Sequence, residues 1–168
     1  ILEYSFMPGP YFNPITDIST INQKFLEKIS NNQWLIKKGH WSISKPIVLK
    51  GKVIIEPGTS LLFSENSYLI INGQLIALGK SNEKIIMTSN SLWKGLYVIG
   101  DGKKKSHLEN VLIKNTTALE DGLLKLTGAV NFYNSNITIK DTKIIKSYAE
   151  DALNIINSRF NLDKVEIE

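Results

Sequence analysis

From about residue 47 onward the apolar residues come in short runs of three to five, separated by turn residues. Val53-Ile54-Ile55 and the runs at 60–63, 68–71, 74–78, 85–88 and 95–99 come first. Between them stand Glu56-Pro57-Gly58, Asn72-Gly73, Gly79-Lys80-Ser81-Asn82 and Gly100-Asp101-Gly102, all rich in turn formers. Further runs lie at 110–113, 122–126, 130–133, 137–139, 143–145, 152–156 and 165–167. Short runs bounded by turns predict strands, and side chains alternate along a strand. Val53 and Ile55 are therefore expected to point inward, as are Leu61 and Phe63.

The N-terminal part reads differently. Residues 1–15 carry Pro8, Pro10 and Pro14 among Tyr4, Phe6, Tyr11 and Phe12, and predict an irregular arm. From about 20 to 30, Ile21, Phe25, Leu26 and Ile29 fall at helical spacing, opposite Asn22, Lys24, Glu27 and Lys28. Ser19 or Thr20 supplies an N-cap and Asn31-Asn32 a stop, so the pattern predicts a short amphipathic helix. Trp34 and Trp41 are expected to pack it onto the first coil. Two short strands, 33–36 and 40–43, follow. The chain thus divides into 1–46, holding arm, capping helix and first strands, and 47–168, holding the repeated strands.

Those strands recur. Ile54, Leu75, Leu96, Leu123 and Leu153 form one column, and Leu61, Ile85, Leu108, Phe132 and Phe160 a second, at intervals of 21 to 30 residues. The closest internal match sets Asn134-Ser135-Asn136-Ile137-Thr138-Ile139 against Asn157-Ser158-Arg159-Phe160-Asn161-Leu162, offset by 23. Such periods with strand-only content predict a solenoid, an all-β parallel β-helix whose coils stack about 4.8 Å apart. Leucine-rich repeats share the period, but their L-x-x-L-x-L signature is missing. A β-sandwich also gives many short strands but has no reason to repeat. The helix caps one end of the solenoid. At the other, strand 165–167 meets neither a capping helix nor a polar plug, so the expectation is a cut from a longer solenoid, or a last coil covered by another subunit.

Composition narrows the function classes. The 168 residues are 42% hydrophobic and 21% charged, which excludes a disordered chain, and no apolar run is long enough for a membrane-spanning helix. There is no cysteine and there are only two histidines, which excludes the usual Cys/His zinc site. The net charge is +4, carried by lysines with Arg159 as the single arginine, which argues against specific nucleic-acid reading. Lys103-Lys104-Lys105 after Gly100-Asp101-Gly102 reads as a solvated loop tip.

Ile54-Ile55-Glu56-Pro57-Gly58-Thr59-Ser60-Leu61-Leu62-Phe63 resembles the I-x-P-G-T-x-L-x-F coil of bacterial right-handed parallel β-helix proteins, the pectate-lyase-like group. Residues 71–79, Lys84-Ile85-Ile86-Met87-Thr88-Ser89 and Trp93-Lys94-Gly95-Leu96 are similar to its following coils. The resemblance spans about 33–168 and implies a right-handed winding and an extracytoplasmic bacterial setting, secreted, cell-surface or periplasmic. The group holds polysaccharide lyases, epimerases, tail spikes and adhesins, so the resemblance does not choose an activity.

The best candidate chemistry is a repeated acidic pair, Glu120-Asp121 and Glu150-Asp151. If their columns stack, four carboxylates meet at one corner and invite a calcium ion. Arg159 stands where alternation puts it on the outer face, expected beside Asn161 and Asp163 and, one coil earlier, Asn131 and Tyr133. In calcium-dependent members of the resembling group the base is an arginine or lysine, which makes Arg159 and Asp151 the catalytic candidates and Asn131, Tyr133 and Asn161 the ligand-binding ones. His107 has no partner in sequence, and His40 reads as a half-buried strand residue. Trp34, Trp41, Trp93, Tyr68, Tyr97 and Tyr133 would offer sugar platforms if exposed.

The reading is a non-catalytic extracytoplasmic scaffold or carbohydrate-binding module of a larger surface or periplasmic protein. Its rivals are a lyase or epimerase on uronate-containing polymers and a trimeric spike or adhesin.

Overall fold

The computed structural model describes residues 24–121 and 124–168. Every regular element among them is a β-strand, and together they wind into a β-solenoid of about six turns. β1 (Leu26–Ser30) folds back antiparallel onto β2 (Gln33–Ile36), and β3 (His40–Ile43) completes the first turn. The stack continues through β4 (Ile47–Ile55), β5 (Ser60–Phe63), β6 (Leu69–Leu78), β7 (Ile85–Ser89), β8 (Leu96–Ile99), β9 (Lys105–Glu109) and β10 (Val111–Thr116). A hairpin of β11 (Leu119–Asp121) and β12 (Leu124–Leu126) then leaves the coil. β13 (Gly128–Tyr133), β14 (Asn136–Ser147), β15 (Asp151–Ile156) and β16 (Phe160–Ile167) resume it.

Three walls of parallel strands result. Wall one stacks the start of β4, the start of β6, β8, β13 and β15. Wall two stacks β2, the ends of β4 and β6, β9, and the starts of β14 and β16. Wall three stacks β3, β5, β7, β10 and the ends of β14 and β16. Alternation sends every second side chain inward, so like residues form ladders: Ile47, Leu69, Leu96 and Val130 on wall one, and Leu61, Met87, Ile113 and Ile144 on wall three, all buried. Val53, Ile55, Leu61 and Phe63 point inward as their alternation predicts.

The corners rely on unusual backbone. Between walls one and two, Gly51 (φ 107°) stacks beneath Gly73 (φ 153°), and a Cβ on Gly73 would lie 2.1 Å from the Gly51 carbonyl oxygen. Later coils use asparagine there: Asn134 (φ 49°) and Asn157 (φ 49°) sit one above the other. Inside this corner a hydroxyl ladder satisfies backbone that the strands leave unpaired. Leu75 N–H donates to Ser106 Oγ (3.0 Å), Ser106 and Ser135 Oγ lie 3.2 Å apart, and Ser135 N–H donates to Ser158 Oγ (2.8 Å). Between walls two and three, Asn110 (φ 50°), Asp141 (φ 46°) and Lys164 (φ 52°) stack in the left-handed conformation.

Two expectations are corrected. Residues 26–30 form β1, a strand, where the spacing predicts a helix; residues 20–23 of that prediction and the aromatic arm lie outside the described residues. The unpaired backbone of β2 explains the outcome. Pairing with it satisfies a row of N–H and C=O groups that a helix would leave open. Phe25 and Leu26 are still buried, Phe25 against Trp41 with centroids 6.3 Å apart, but Ile29 faces solvent. Lys28 Nζ sits 5.7 Å from the Trp34 ring centre. The second correction concerns the columns. Leu75 opposes Val53 rather than Ile54, while Leu96 and Leu153 belong to wall one. The second column likewise mixes walls, since Leu108 is on wall two and Phe132 on wall one. The 23-residue match is the true register: Ile137 opposes Phe160 and Ile139 opposes Leu162.

Candidate functional site

The acidic pairs lie at the same corner, between walls three and one, but do not stack on one another. Leu119–Asp121 leaves the coil in the hairpin, and the residue opposite Asp151 is Gly128. Asp121 Oδ2 accepts a hydrogen bond from Tyr68 Oη (3.0 Å), and Glu120 pairs with Lys125 Nζ (3.0 Å). Glu120 and, more weakly, Glu150 hold the Lys125 ammonium above its ordinary pKa. A lysine, rather than an acidic cage, thus stands beside these carboxylates. Among the described residues no three His, Cys, Asp or Glu side chains converge as a metal site would need.

The strip proposed around Arg159 divides between two walls. Arg159 is exposed at the start of wall two in the last coil, where its N–H donates to Asn136 Oδ1 (2.9 Å), and Asn161 and Asp163 follow outward. Asn131 and Tyr133 project outward from wall one, around the corner made by Asn134. Asn131 Nδ2 donates to the Gly128 carbonyl (2.8 Å) and faces Asn154 one coil on. The 23-residue register aligns Arg159 with Asn136, not with Asn131, which is why the two halves part.

The tyrosines predicted as platforms are covered. Tyr68, Ile70, Tyr97 and Leu119 form a second apolar cluster on the outside of wall one, with the hairpin lying over it and Tyr133 packed at its side. Burial, then the bond to Asp121, pushes the Tyr68 phenol up to about 12. Burial holds the Tyr97 phenol well above its ordinary value, and its hydroxyl lies 2.6 Å from the Lys94 carbonyl and 3.0 Å from that of Gly128. Trp93 is fully buried, and His40 is exposed rather than half-buried. Among the described residues Tyr148 and Phe160 are the strongly exposed aromatics, and the sequence pattern did not single out Tyr148.

What the fold does assemble is a polar outer surface on wall two, over the last three coils. Its rows run across the stack: Lys105, Asn136, Arg159; His107, Thr138, Asn161; Glu109, Lys140, Asp163. In the earlier coils the row of His107 holds Ile76 and Ile54 instead. His107 Nε2 lies 3.7 Å from Glu109 Oε2, and neither it nor Thr138 Oγ1 has a hydrogen-bond partner. Glu109 Oε1 pairs with Lys140 Nζ (3.0 Å), and that carboxylate is the main reason the Lys140 ammonium is held above its ordinary pKa. His107 therefore has carboxylate company that its sequence neighbours conceal. One contact is two residues along the strand, and the pairing that fixes Glu109 is a whole coil away.

This strip turns the corner at Asp141 into a groove of about 350 Å³. Val111 and Leu112 form its floor, and the turn after Gly79 its near wall. Lys84, Lys143 and Lys164 stand on its rim beside Asp141 and Glu166. None of these rim residues is marked by a motif; only the wall-three register brings them together.

No family model, no curated protein and no solved structure matches this chain.

Proposed function

We propose that the chain is a non-catalytic, right-handed β-helix module that binds carbohydrate on the outside of wall two, within a larger extracytoplasmic bacterial protein of pectate-lyase-like kind. The observation that carries this reading is the set of rows through His107, Thr138 and Asn161 and through Lys105, Asn136 and Arg159. They line one side of a stiff stack of strands, with the polar ends of Lys105, Arg159 and Asn161 exposed. Extended polymers suit such a surface, because its groups repeat at the coil spacing of about 4.8 Å and need little ordering on binding. The right-handed winding draws on the general preference of parallel crossover connections. The bacterial, extracytoplasmic setting draws on the motif resemblance and the cysteine-free composition.

The test is affinity electrophoresis of the chain through gels cast with a panel of neutral and acidic polysaccharides. Retardation that weakens in Asn161→Ala and Arg159→Ala is expected, and free migration through every gel overturns the reading. Following far-ultraviolet absorbance of unsaturated product in the same panel separates the lyase. A rise that disappears in Arg159→Ala replaces a binding module with an enzyme.

A second reading is assembly as a trimeric spike or adhesin, a use to which the resembling group also puts its solenoids. Sedimentation equilibrium decides it: a species several times 18.9 kDa supports assembly, and a monomer sinks it.

A further inference from the structure

The groove between walls two and three has a charge pattern of its own, and we infer that it is an anion-reading subsite for an acidic glycan. The inference rests on the carbohydrate-binding reading and names the ligand class. Three ammonium groups stand on the rim, Lys84, Lys143 and Lys164, against two carboxylates, Asp141 and Glu166. Glu166 is taken by Lys143. Asp141 lies 3.7 Å from Lys140 Nζ, which is already paired with Glu109, and 3.9 Å from Lys164 Nζ, so Lys164 is not neutralised by a tight pair. Lys84 forms no ion pair among the described residues. The rim thus carries one positive charge in excess and ammonium groups with donors to spare.

Their positions are fixed by the fold. The turn bearing Lys84 is closed by reciprocal backbone bonds between Lys80 and Glu83, both 3.0 Å. It is anchored by the Glu83 carboxylate, which pairs with Lys38 and Lys80. Ile85 N–H, next in the chain, donates to the Asn110 carbonyl (3.1 Å). On the other side Lys143 lies one coil beyond Leu112, and Lys164 extends from the left-handed corner of the last coil. Lys84 and Lys164 therefore face one groove from coils about three steps apart, on the order of 14 Å. A single small anion cannot span that distance. A chain bearing an acidic group on successive sugars can, while a ring face lies on the half-buried Leu112. Arginine, the residue suited to bidentate phosphate contact, is missing from the rim. The shared ligand chemistry is a carboxylate or sulfate ester repeated along a polysaccharide.

Electrophoresis through gels containing a polyuronate, a sulfated galactan, a neutral glucan or single-stranded DNA tests this, at low and at high salt. Wild type is compared with Lys84→Ala, Lys164→Ala, Lys84→Glu and the loop-tip control Lys103→Ala, each first checked for an unchanged melting curve. Retention in the acidic gels should fall about three- to fivefold for each alanine, the size of one exposed charge-assisted contact. It should disappear in Lys84→Glu, fall with salt, and remain in Lys103→Ala; the stronger of the two acidic gels identifies carboxylate or sulfate. Acidic-gel retention untouched by Lys84→Glu overturns the inference, as does equal retention by single-stranded DNA. Retention by the neutral glucan alone also overturns it, but leaves the carbohydrate-binding reading standing. Migration unhindered in every gel overturns both.

Discussion

The rings of Phe63 and Trp93 lie parallel, with centroids 4.1 Å apart and 6° between their planes. Trp93 closes the inside of the corner between walls three and one, and its indole N–H donates to the Lys114 carbonyl at 3.0 Å. One side chain therefore joins two coils by stacking and a third by a hydrogen bond. Trp93→Ala should lower stability by about 3–5 kcal/mol, the usual range for a large buried aromatic. Trp93→Phe keeps the stack but loses the bond to Lys114, and should cost about 1–3 kcal/mol. Urea titration followed by circular dichroism measures both, and equal midpoints for wild type and the alanine variant would refute the assignment.

Gly73 and Gly58 make a paired prediction. Both have positive φ, but a Cβ on Gly73 would strike the Gly51 carbonyl at 2.1 Å, whereas one on Gly58 meets the flexible end of Lys38 at 3.0 Å. Gly58→Ala should cost about 1 kcal/mol, the strain of a left-handed alanine. Gly73→Ala should cost about 2 kcal/mol or more, because the backbone of two coils must separate. Comparing their denaturation midpoints checks the order, and the reverse order would show that the glycine stack is not what sets the spacing there.

Ser106 is buried in the hydroxyl ladder, where Leu75 N–H depends on its oxygen. Ser106→Ala leaves that N–H without an acceptor in an apolar interior and should destabilise by about 1–3 kcal/mol. Hydrogen exchange gives a local readout: the Leu75 amide should lose protection more than its neighbours do. Uniform loss along β6 would point to global destabilisation instead.

Alkaline pH offers a separate test. The Tyr68 phenol is raised from its ordinary value of 10.0 to about 12, first by burial and then by the Asp121 carboxylate. A phenol whose folded pKa is raised favours folding fully below 10; that contribution is lost as pH climbs through 12, because the unfolded chain releases its proton earlier. Stability should therefore fall between pH 10 and 12, and Tyr68→Phe should flatten that slope. Spectrophotometric titration of wild type against Tyr68→Phe and Tyr97→Phe should place the missing phenols at the alkaline end of the curve. A missing absorbance change centred near pH 10 in either variant would contradict the covered cluster.

Much of this architecture was legible because parallel stacking leaves a local imprint. Strand alternation placed Val53, Ile55, Leu61 and Phe63 inward, and the match between 134–139 and 157–162 identified one true coil step. The other columns failed because corner lengths vary. Ser106 stacks above Leu75 at a separation of 31 residues, whereas Ser158 follows Ser135 at 23. Two leucines at a regular interval can therefore belong to different walls. The helical spacing of Phe25, Leu26 and Ile29 lost to the open edge of β2, a demand that no local pattern expresses. For the same reason the outer rows and the lysine rim were hidden: their members lie a coil or more apart, and only cross-coil register makes them neighbours.

The hairpin of Leu119–Asp121 and Leu124–Leu126 has a consequence for how this molecule tolerates change. It interrupts the chain between β10 and β13 without interrupting either stack, since β13 still pairs with β8 and β14 with β10. Axial rise is set by backbone pairing, and length along the chain is free at that corner. Foreign loops grafted there would travel with the solenoid as passengers, and their spacing along its axis would be chosen by selecting a coil.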